Sequence, residues 1–306
     1  MTIRHLKIFM KVAETENMTL AASQLYLAQS TVSQAIRELE EHYGVALFSR
    51  LSKRLYITVA GKHLLAYART VVSKFDQLEY SMRKDSQIEH LRLGSTITVA
   101  SCLLPQLLNK LEVCCPYTEF FSLTANTAAI EEKILNNELD IGIVEGNIKS
   151  TDLISLPLVD DYLVLACAAD HPLASKKEVT SKELESFSFV MRENGSGTRE
   201  LFLNSLKQNG ISIRIKMVAP FPEAMRSAIL FNGCLAVMSI RLLENEMKAG
   251  TVKVFRNCSG DWDRTFKLVY HKDTFITETI SVLSNLLKKY KKPYYMKSSY
   301  ERCIIL

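Results

Sequence analysis

The sequence predicts a multidomain α/β protein: an amino-terminal winged helix-turn-helix, a long linker helix and a larger carboxy-terminal α/β region. Three observations carry that prediction. Residues 17–48 read as two short helices joined by a tight turn, residues 64–82 repeat apolar side chains at spacings of 4 and 3, and beyond Leu91 strand-like and helix-like stretches alternate. At 306 residues the chain is too long for one helix-turn-helix module, and 47% hydrophobic with 23% charged residues suits a globular chain with sizeable cores.

A first helix is expected over residues 3–14, with Ile3, Leu6, Phe9 or Met10, and Ala13 on one face. Leu20, Ala21 and Leu25 then give a second apolar face behind an Asn17 or Thr19 cap, and Leu27 closes the turn. Val32, Ile36, Leu39 and Tyr43 follow at spacings of 4, 3 and 4, the buried stripe of an amphipathic helix. Its other face carries Gln29, Ser30, Thr31, Ser33, Gln34 and Arg37. Such short polar groups suit a helix reading base edges in a major groove, where Gln pairs with adenine and Arg with guanine. An ordinary helical hairpin with a solvated face would show the same periodicity.

Charge separates the two readings. From His42 to Phe75 there is no acidic residue, while Arg50, Lys53, Arg54, Lys62, Arg69 and Lys74 supply positive charge, as a phosphate backbone requires. Residues 48–58 read as two short strands around a Ser52-Lys53-Arg54 tip, a wing that would set Arg50, Lys53, Arg54 and Thr58 beside sugar and phosphate. Residues 1–90 hold twelve Lys and Arg against nine Asp and Glu, the remainder twenty-six against twenty-four, so the net charge of +5 is concentrated in the smaller part. A second basic run, Lys288, Lys289, Lys291 and Lys292, reads as a solvated helix end.

Other function classes find little support. Seven cysteines without a C-x-x-C pair imply reduced, mostly buried thiols rather than a zinc site or disulfide framework. Six His show no metal-ligand spacing, and G-x-S-x-G, Walker and G-x-G-x-x-G motifs are absent, so neither a metal nor a cofactor is expected. Only Glu145 offers an acid or base for an enzymatic reading. No apolar run approaches the ~18 residues of a membrane span, and no charged segment with an apolar run and cleavage site opens the chain, which points to the cytoplasm.

After the wing, Leu64, Ala68, Val71, Phe75, Leu78 and Met82 fall on heptad a and d positions, which fits either a helix pair or a helix buried in its own domain. At Leu6 and Phe9, Ala21-Ala22, Gln29, Val32-Ser33-Gln34, Ile36, Leu39-Glu40, Gly44-Val45, Leu47-Phe48, Arg50, Thr58 and Gly61 the chain resembles the LysR-type transcriptional regulators. Two positions depart from the family pattern. Ala28 stands where the family has a capping Ser, and Ser30 where it commonly has Pro, which leaves Ser30 or Thr31, the latter with Gln34 three residues on, as alternative caps. The resemblance implies that the linker helix pairs two subunits, so that two recognition helices reach half-sites about one helical turn apart.

Beyond the linker, strands are expected at 91–94, 119–125, 140–144, 161–168, 188–191, 213–218, 235–239, 252–255 and 266–270, with helices at 101–111, 128–136, 198–208, 223–232 and 277–289. This βαβ order predicts a parallel sheet with right-handed crossovers. Leu103-Leu104-Pro105, the run from Asn137 to Gly146, His171-Pro-Leu-Ala174 and Gly195-Ser-Gly-Thr-Arg199 resemble the two-lobed effector domain of the same regulators, related in fold to type 2 periplasmic binding proteins. The resemblance implies a DNA-binding domain at 1–60, a linker and dimerisation helix at 61–90, and an effector-binding domain at 91–306. Its lobe I would span about 91–162 and 267–306, its lobe II about 163–266, with crossings near 161–165 and 262–268 and the ligand between the lobes.

Three helix starts would face that ligand: Ser196, Gly197, Thr198 and Arg199; Thr96 and Thr98 ahead of a helix at Ser101; and Asn126 and Thr127 ahead of one at Ala128. Each offers unpaired N–H groups and partial positive charge, so together they would take a small anion without burying a full cation, and Arg199 could add a bidentate contact. Plain capping would place the same residue types there. The expected function is a ligand-responsive regulator whose partners are promoter DNA, a small anionic effector, RNA polymerase and further copies of the chain as a homodimer or homotetramer. The rival classes are an enzyme built on a binding-protein fold and a DNA-binding protein with a purely structural second domain.

Overall fold

The computed structural model describes residues 1–51, 54–82, 88–290 and 302–305, and the chain divides into two units, Met1–Gln87 and Ile88–Leu306. The first contains α1 (Ile3–Thr15), α2 (Met18–Gln24), α3 (Gln29–Tyr43), the antiparallel strands β1 (Phe48–Leu51) and β2 (Arg54–Ile57), and α4 (Val59–Met82). Asn17 caps α2, its Oδ1 accepting from Thr19 N at 2.9 Å and Leu20 N at 3.0 Å. The turn closes through Leu27 N to Ala22 O at 2.9 Å. Ala28 occupies the cap position of α3 without a side-chain bond, so the alternative caps do not operate: Ser30 and Thr31 lie inside the helix, and Gln34 donates to Glu38 at 3.0 Å.

The core of this unit forms because α1, α2 and α3 each bury one stripe: Leu6, Phe9 and Val12; Ala21 and Ala22; Val32, Ala35, Ile36 and Leu39. Leu20, expected inside, is exposed, and Tyr43 emerges at the end of its stripe. The heptad face of α4 splits. Ala68, with Val72, packs into this core, whereas Val71, Phe75 and Leu78 remain exposed and Leu64 half-buried; the Met82 side chain lies outside the described residues.

In the second unit the chain runs β3 (Glu89–Thr96), α5 (Ile97–Cys102), α6 (Leu104–Cys114), β4 (Thr118–Ala125), α7 (Thr127–Leu135), β5 (Ile141–Val144), β6 (Leu153–Ala168), β7 (Glu178–Thr180), α8 (Ser181–Glu185), β8 (Ser188–Met191) and α9 (Gly197–Gln208). It continues β9 (Arg214–Val218), α10 (Pro222–Asn232), β10 (Ala236–Ser239), α11 (Glu244–Ala249), β11 (Val252–Asn257), β12 (Asp263–His271), α12 (Glu278–Lys288) and β13 (Cys303–Ile305). The helix expected from Ser101 is two helices, broken at Leu103 because Pro105 fits only a first turn. Its start accordingly moves back to Ile97.

Among the described residues nine strands join in the order β4-β3-β5-β12-β6-β11-β13-β7, with β10 also on β6. The sheet is mixed, not parallel as expected. β3 runs parallel to β4 and β5, but β12 is antiparallel to β5 and β6, and β6 is antiparallel to β10 and β11. The reason is the length of β6, sixteen residues, whose first part pairs with β12 and whose last part, from Leu163, pairs with β10 and β11. The two halves of the sheet therefore share one continuous strand, β6.

Each half has its own core, which licenses the word lobe. Leu93, Val99, Leu107, Ile141, Phe266 and Leu283 fill the first, and Phe189, Phe202, Phe255 and Trp262 lie in the second. Cys303–Ile305, expected with the first lobe, belongs instead to the second, between β11 and β7, because its apolar Ile304 is fully buried there.

Candidate DNA-reading face and effector cleft

On α3, Gln29, Ser30, Thr31, Gln34 and Arg37 are exposed and Ser33 is half-buried, so the structure leaves the expected reading face open to solvent. Ser30, Ser33, Gln34 and Arg37 share one side of the helix at spacings of 3 and 4, and Gln29 and Thr31 are exposed in its first turn. Glu40 ties this helix to the wing, its Oε1 accepting from Leu47 N at 2.7 Å and Phe48 N at 3.2 Å. Arg50 stands in β1, paired with Leu55, and Arg54 in β2, paired with Leu51; Lys53 lies outside the described residues.

Thr58 is a correction. Its hydroxyl lies 2.7 Å from Ala46 O and 3.1 Å from Leu47 O and accepts from Gly61 N at 3.0 Å, which makes it the amino-terminal cap of α4. With those bonds made, the hydroxyl holds the wing to the helix and is not offered to a phosphate. Gly61 is required beside it, since a Cβ there would stand 2.3 Å from Leu47 O.

In the second unit the three expected helix starts behave differently from one another. Asn126 Oδ1 accepts from Ala129 N at 3.0 Å and its Nδ2 donates to Asn194 O at 3.3 Å, so it caps α7 and reaches the other lobe. Ala128 N donates to Gly195 O at 3.4 Å. The lobes touch here: a Cβ on Gly197 would stand 2.4 Å from Gly146 Cα, and one on Gly146 would stand 2.5 Å from Thr127 Oγ1. Glycine at both positions is what lets the two backbones approach.

Thr96 and Thr98 are not open donors. Both hydroxyls point at the chain's own Glu145, Thr96 on Oε2 and Thr98 on Oε1, the latter at 2.9 Å. Arg199 commits one of its donors within the lobe, its Nη1 donating to Arg192 O at 2.8 Å. Thr198 Oγ1 accepts from Arg264 Nη1 at 2.8 Å. What stays available is small and specific. The buried side-chain atoms without a hydrogen-bond partner include Thr127 Oγ1, Ser196 Oγ and Arg264 Nη2 at this junction.

Full charges also line this junction, which overturns the expectation that no cation is buried. Arg264 Nε donates to Asp161 at 2.8 Å, Arg241 Nε stands 3.6 Å from the same carboxylate, and Ser239 Oγ donates to it at 2.7 Å. Asp161 and Arg264 are cross-strand partners in β6 and β12, so the sheet register itself creates the pair. Both are almost wholly inaccessible. Cys102 reports how closely the charges gather: burial first, and then the Asp161 charge, push its thiol up to about 12, with Arg241, Glu145 and Arg264 acting on it as well. Sequence reasoning missed Asp161, Arg241 and Arg264, and kept Glu145 only as a potential enzymatic acid or base. No local signal marks the first three, because their partners are brought to them by distant strands.

Comparison with known proteins agrees with both halves of this description. Residues 3–62 match the family model for bacterial regulatory helix-turn-helix proteins of the lysR family, and residues 84–292 match that for the LysR substrate binding domain. An uncharacterized HTH-type transcriptional regulator, YeiE, of Escherichia coli is 29% identical over 279 residues, covering 91% of this chain and 94% of that protein. A variant of full-length OxyR from Pseudomonas aeruginosa superposes with a TM-score of 0.74 at 21% identity, covering 96% of this chain and 99% of that one. The regulatory domain of CcmR from Synechocystis, solved in complex with 2-PG, gives 0.62 at 25% identity over 67% of this chain and 99% of its own. No described helix is long and apolar enough to cross a membrane. The chain therefore belongs to the LysR family of DNA-binding transcriptional regulators, not of enzymes, and consists of a helix-turn-helix module followed by a two-lobed effector-binding domain.

Proposed function

We propose that this regulator reads promoter DNA with Gln29, Ser30, Thr31, Ser33, Gln34 and Arg37, holds phosphates with Arg50, Lys53 and Arg54, and responds to a small anion bound between the lobes of its second unit. The observation that carries the effector reading is the set of buried donor atoms at the lobe junction, Thr127 Oγ1, Ser196 Oγ and Arg264 Nη2, which make no hydrogen bond of their own. Leaving such groups unpaired costs about 1–3 kcal/mol each, a cost that an anion accepting from all three would relieve. CcmR, solved with 2-PG, offers a precedent in a relative's domain. Gly197, Thr198, Arg199, Thr96, Thr98 and Asn126 then shape the cleft and do not contact the anion with their side chains.

Assembly follows from exposed apolar faces. Val71, Phe75 and Leu78 on α4 suit the pairing of two linker helices, and Val113, Tyr117 and Phe121 near β4, with Met217, Val218, Phe221 and Phe231 on β9 and α10, suit contacts that build a homodimer or homotetramer. Such an assembly would work in the cytoplasm, where it meets promoter DNA and RNA polymerase. Binding of the anion would shift the lobes between states of different DNA affinity, which makes the effect of ligand on DNA and of DNA on ligand equal. Calorimetry of the full chain against a panel of small anions tests the reading. Binding that is lost in Arg264→Gln supports it, and binding that survives in Arg264→Gln and Ser196→Ala alike would place the effector elsewhere.

A further inference from the structure

The charge balance of the cleft bears on which anions it accepts. Asp161 is matched by Arg264 at 2.8 Å and Arg241 at 3.6 Å, and Glu145 adds a second buried carboxylate, while Lys267 Nζ donates to the carbonyl of Gly146, the next residue, at 3.2 Å. Glu145 is the carboxylate that an incoming anion approaches, since Gly146 abuts both Thr127 and Gly197, and Glu145 acts on the Cys102 thiol together with Asp161, Arg241 and Arg264. Like charges gathered away from bulk water repel. The repulsion turns to attraction if the ligand brings a proton to place between itself and the carboxylate.

Glu145 has the capacity to accept it. A carboxylate offers about four lone-pair positions, and the Thr96 and Thr98 hydroxyls take one on each oxygen. Those two hydroxyls also fix its orientation, since each oxygen is held by a different turn position. The guanidinium groups of Arg264 and Arg241 approach Asp161, and the Lys267 ammonium meets the Gly146 carbonyl.

We infer that Glu145 makes the cleft select an anion that carries its own hydrogen-bond donor, a protonated oxyanion or a carboxylate bearing a hydroxyl or ammonium group, over an anion with acceptors alone. This rests on the anion-binding reading of the cleft. The donor group of the ligand meets Glu145, while its negative oxygens meet Thr127, Ser196 and Arg264. A site built to accept a proton discriminates against an isosteric ligand lacking it far better than it senses size.

Matched probes decide the matter with the full chain at neutral pH: phosphate against sulfate, hydrogen carbonate against nitrate, and lactate against propionate. Calorimetry or thermal shift should show the donor-bearing member of at least one pair binding on the order of 10²-fold or more tightly than its acceptor-only partner. Glu145→Gln, which removes the charge and supplies an N–H, should collapse that ratio by letting the acceptor-only member bind; fluorescence of Trp262, the sole tryptophan and 1% exposed, verifies that the variant folds. Sulfate, nitrate and propionate binding the wild type as tightly as their partners would overturn the selectivity and leave the anion cleft standing. A ratio unchanged in folded Glu145→Gln would overturn the assignment to this residue. Failure of every probe against both proteins would overturn the anion cleft and this inference together.

Discussion

Ser196→Ala separates a ligand-binding hydroxyl from a helix cap. Ser196 occupies the cap position of α9 but makes no side-chain cap bond, and its Oγ is buried without a partner. An ordinary capping Ser→Ala costs about 0.5–2 kcal/mol, because a backbone N–H loses its acceptor. Here no such bond exists to lose, and deleting a buried unpaired hydroxyl returns part of its desolvation cost of about 1–3 kcal/mol. The ligand-free stability of the second unit should therefore stay unchanged or rise by about 1 kcal/mol, while anion affinity falls. Asn126→Ala is the paired control. Its Oδ1 caps α7 at 3.0 Å, so that variant should lose about 0.5–2 kcal/mol. Urea unfolding of the full chain followed by Trp262 fluorescence reads this unit selectively, since the indole is buried in the second lobe and its Nε1 donates to Ser205 on α9 at 3.0 Å. A loss of 1 kcal/mol or more in ligand-free Ser196→Ala would refute the reasoning, because it would mean that the hydroxyl is bonded at home.

Other perturbations test the remaining assignments. Asp161→Ala leaves the buried Arg264 and Arg241 guanidiniums facing each other and should cost about 3–5 kcal/mol in the same urea experiment, whereas a cost under about 1 kcal/mol would show the charges to be solvated. Thr58→Ala should lower the stability of the DNA-binding unit by about 0.5–2 kcal/mol with an unaltered salt slope of DNA binding, and a slope reduced by about one would restore a phosphate contact to this residue. Leu78→Asp places a charge on a side chain that is exposed in the single chain, so circular dichroism should be unchanged while sedimentation shows smaller species; an unchanged oligomer would remove α4 from the assembly interface. Burial holds the His171 imidazole below its ordinary 6.5, and its Nδ1 accepts from Leu173 N at 3.1 Å, so the folded state favours the neutral ring. The unfolded chain binds the proton first: the contribution is complete above 6.5 and is lost as pH falls below it toward the folded value. His171→Gln should flatten the acid limb of a plot of urea midpoint against pH, and parallel plots for the two proteins would contradict this.

The first unit was legible in the sequence because its signals are local. A cap, a turn and an apolar stripe at spacings of 3 and 4 occupy neighbouring residues, so Asn17, Val32, Ile36 and Leu39 declare the helix-turn-helix without reference to anything distant. Thr58 shows the limit of that reading. A hydroxyl in a basic segment reads as a phosphate contact until the backbone of residues 46 and 47 is brought against it. In the second unit the sequence supplied the order of elements and the small polar residues at helix starts, but not the use to which the hydroxyls are put. Whether Thr98 faces a ligand or Glu145 depends on the placement of a residue 47 positions away. The Asp161–Arg264 pair spans 103 positions and exists only because β6 and β12 align antiparallel in one register. Local patterns set where helices and strands form; which charges meet, and which donors are left for a ligand, was decided by the sheet, since Coulomb and hydrogen-bond energies depend on distances that only the assembled strands fix.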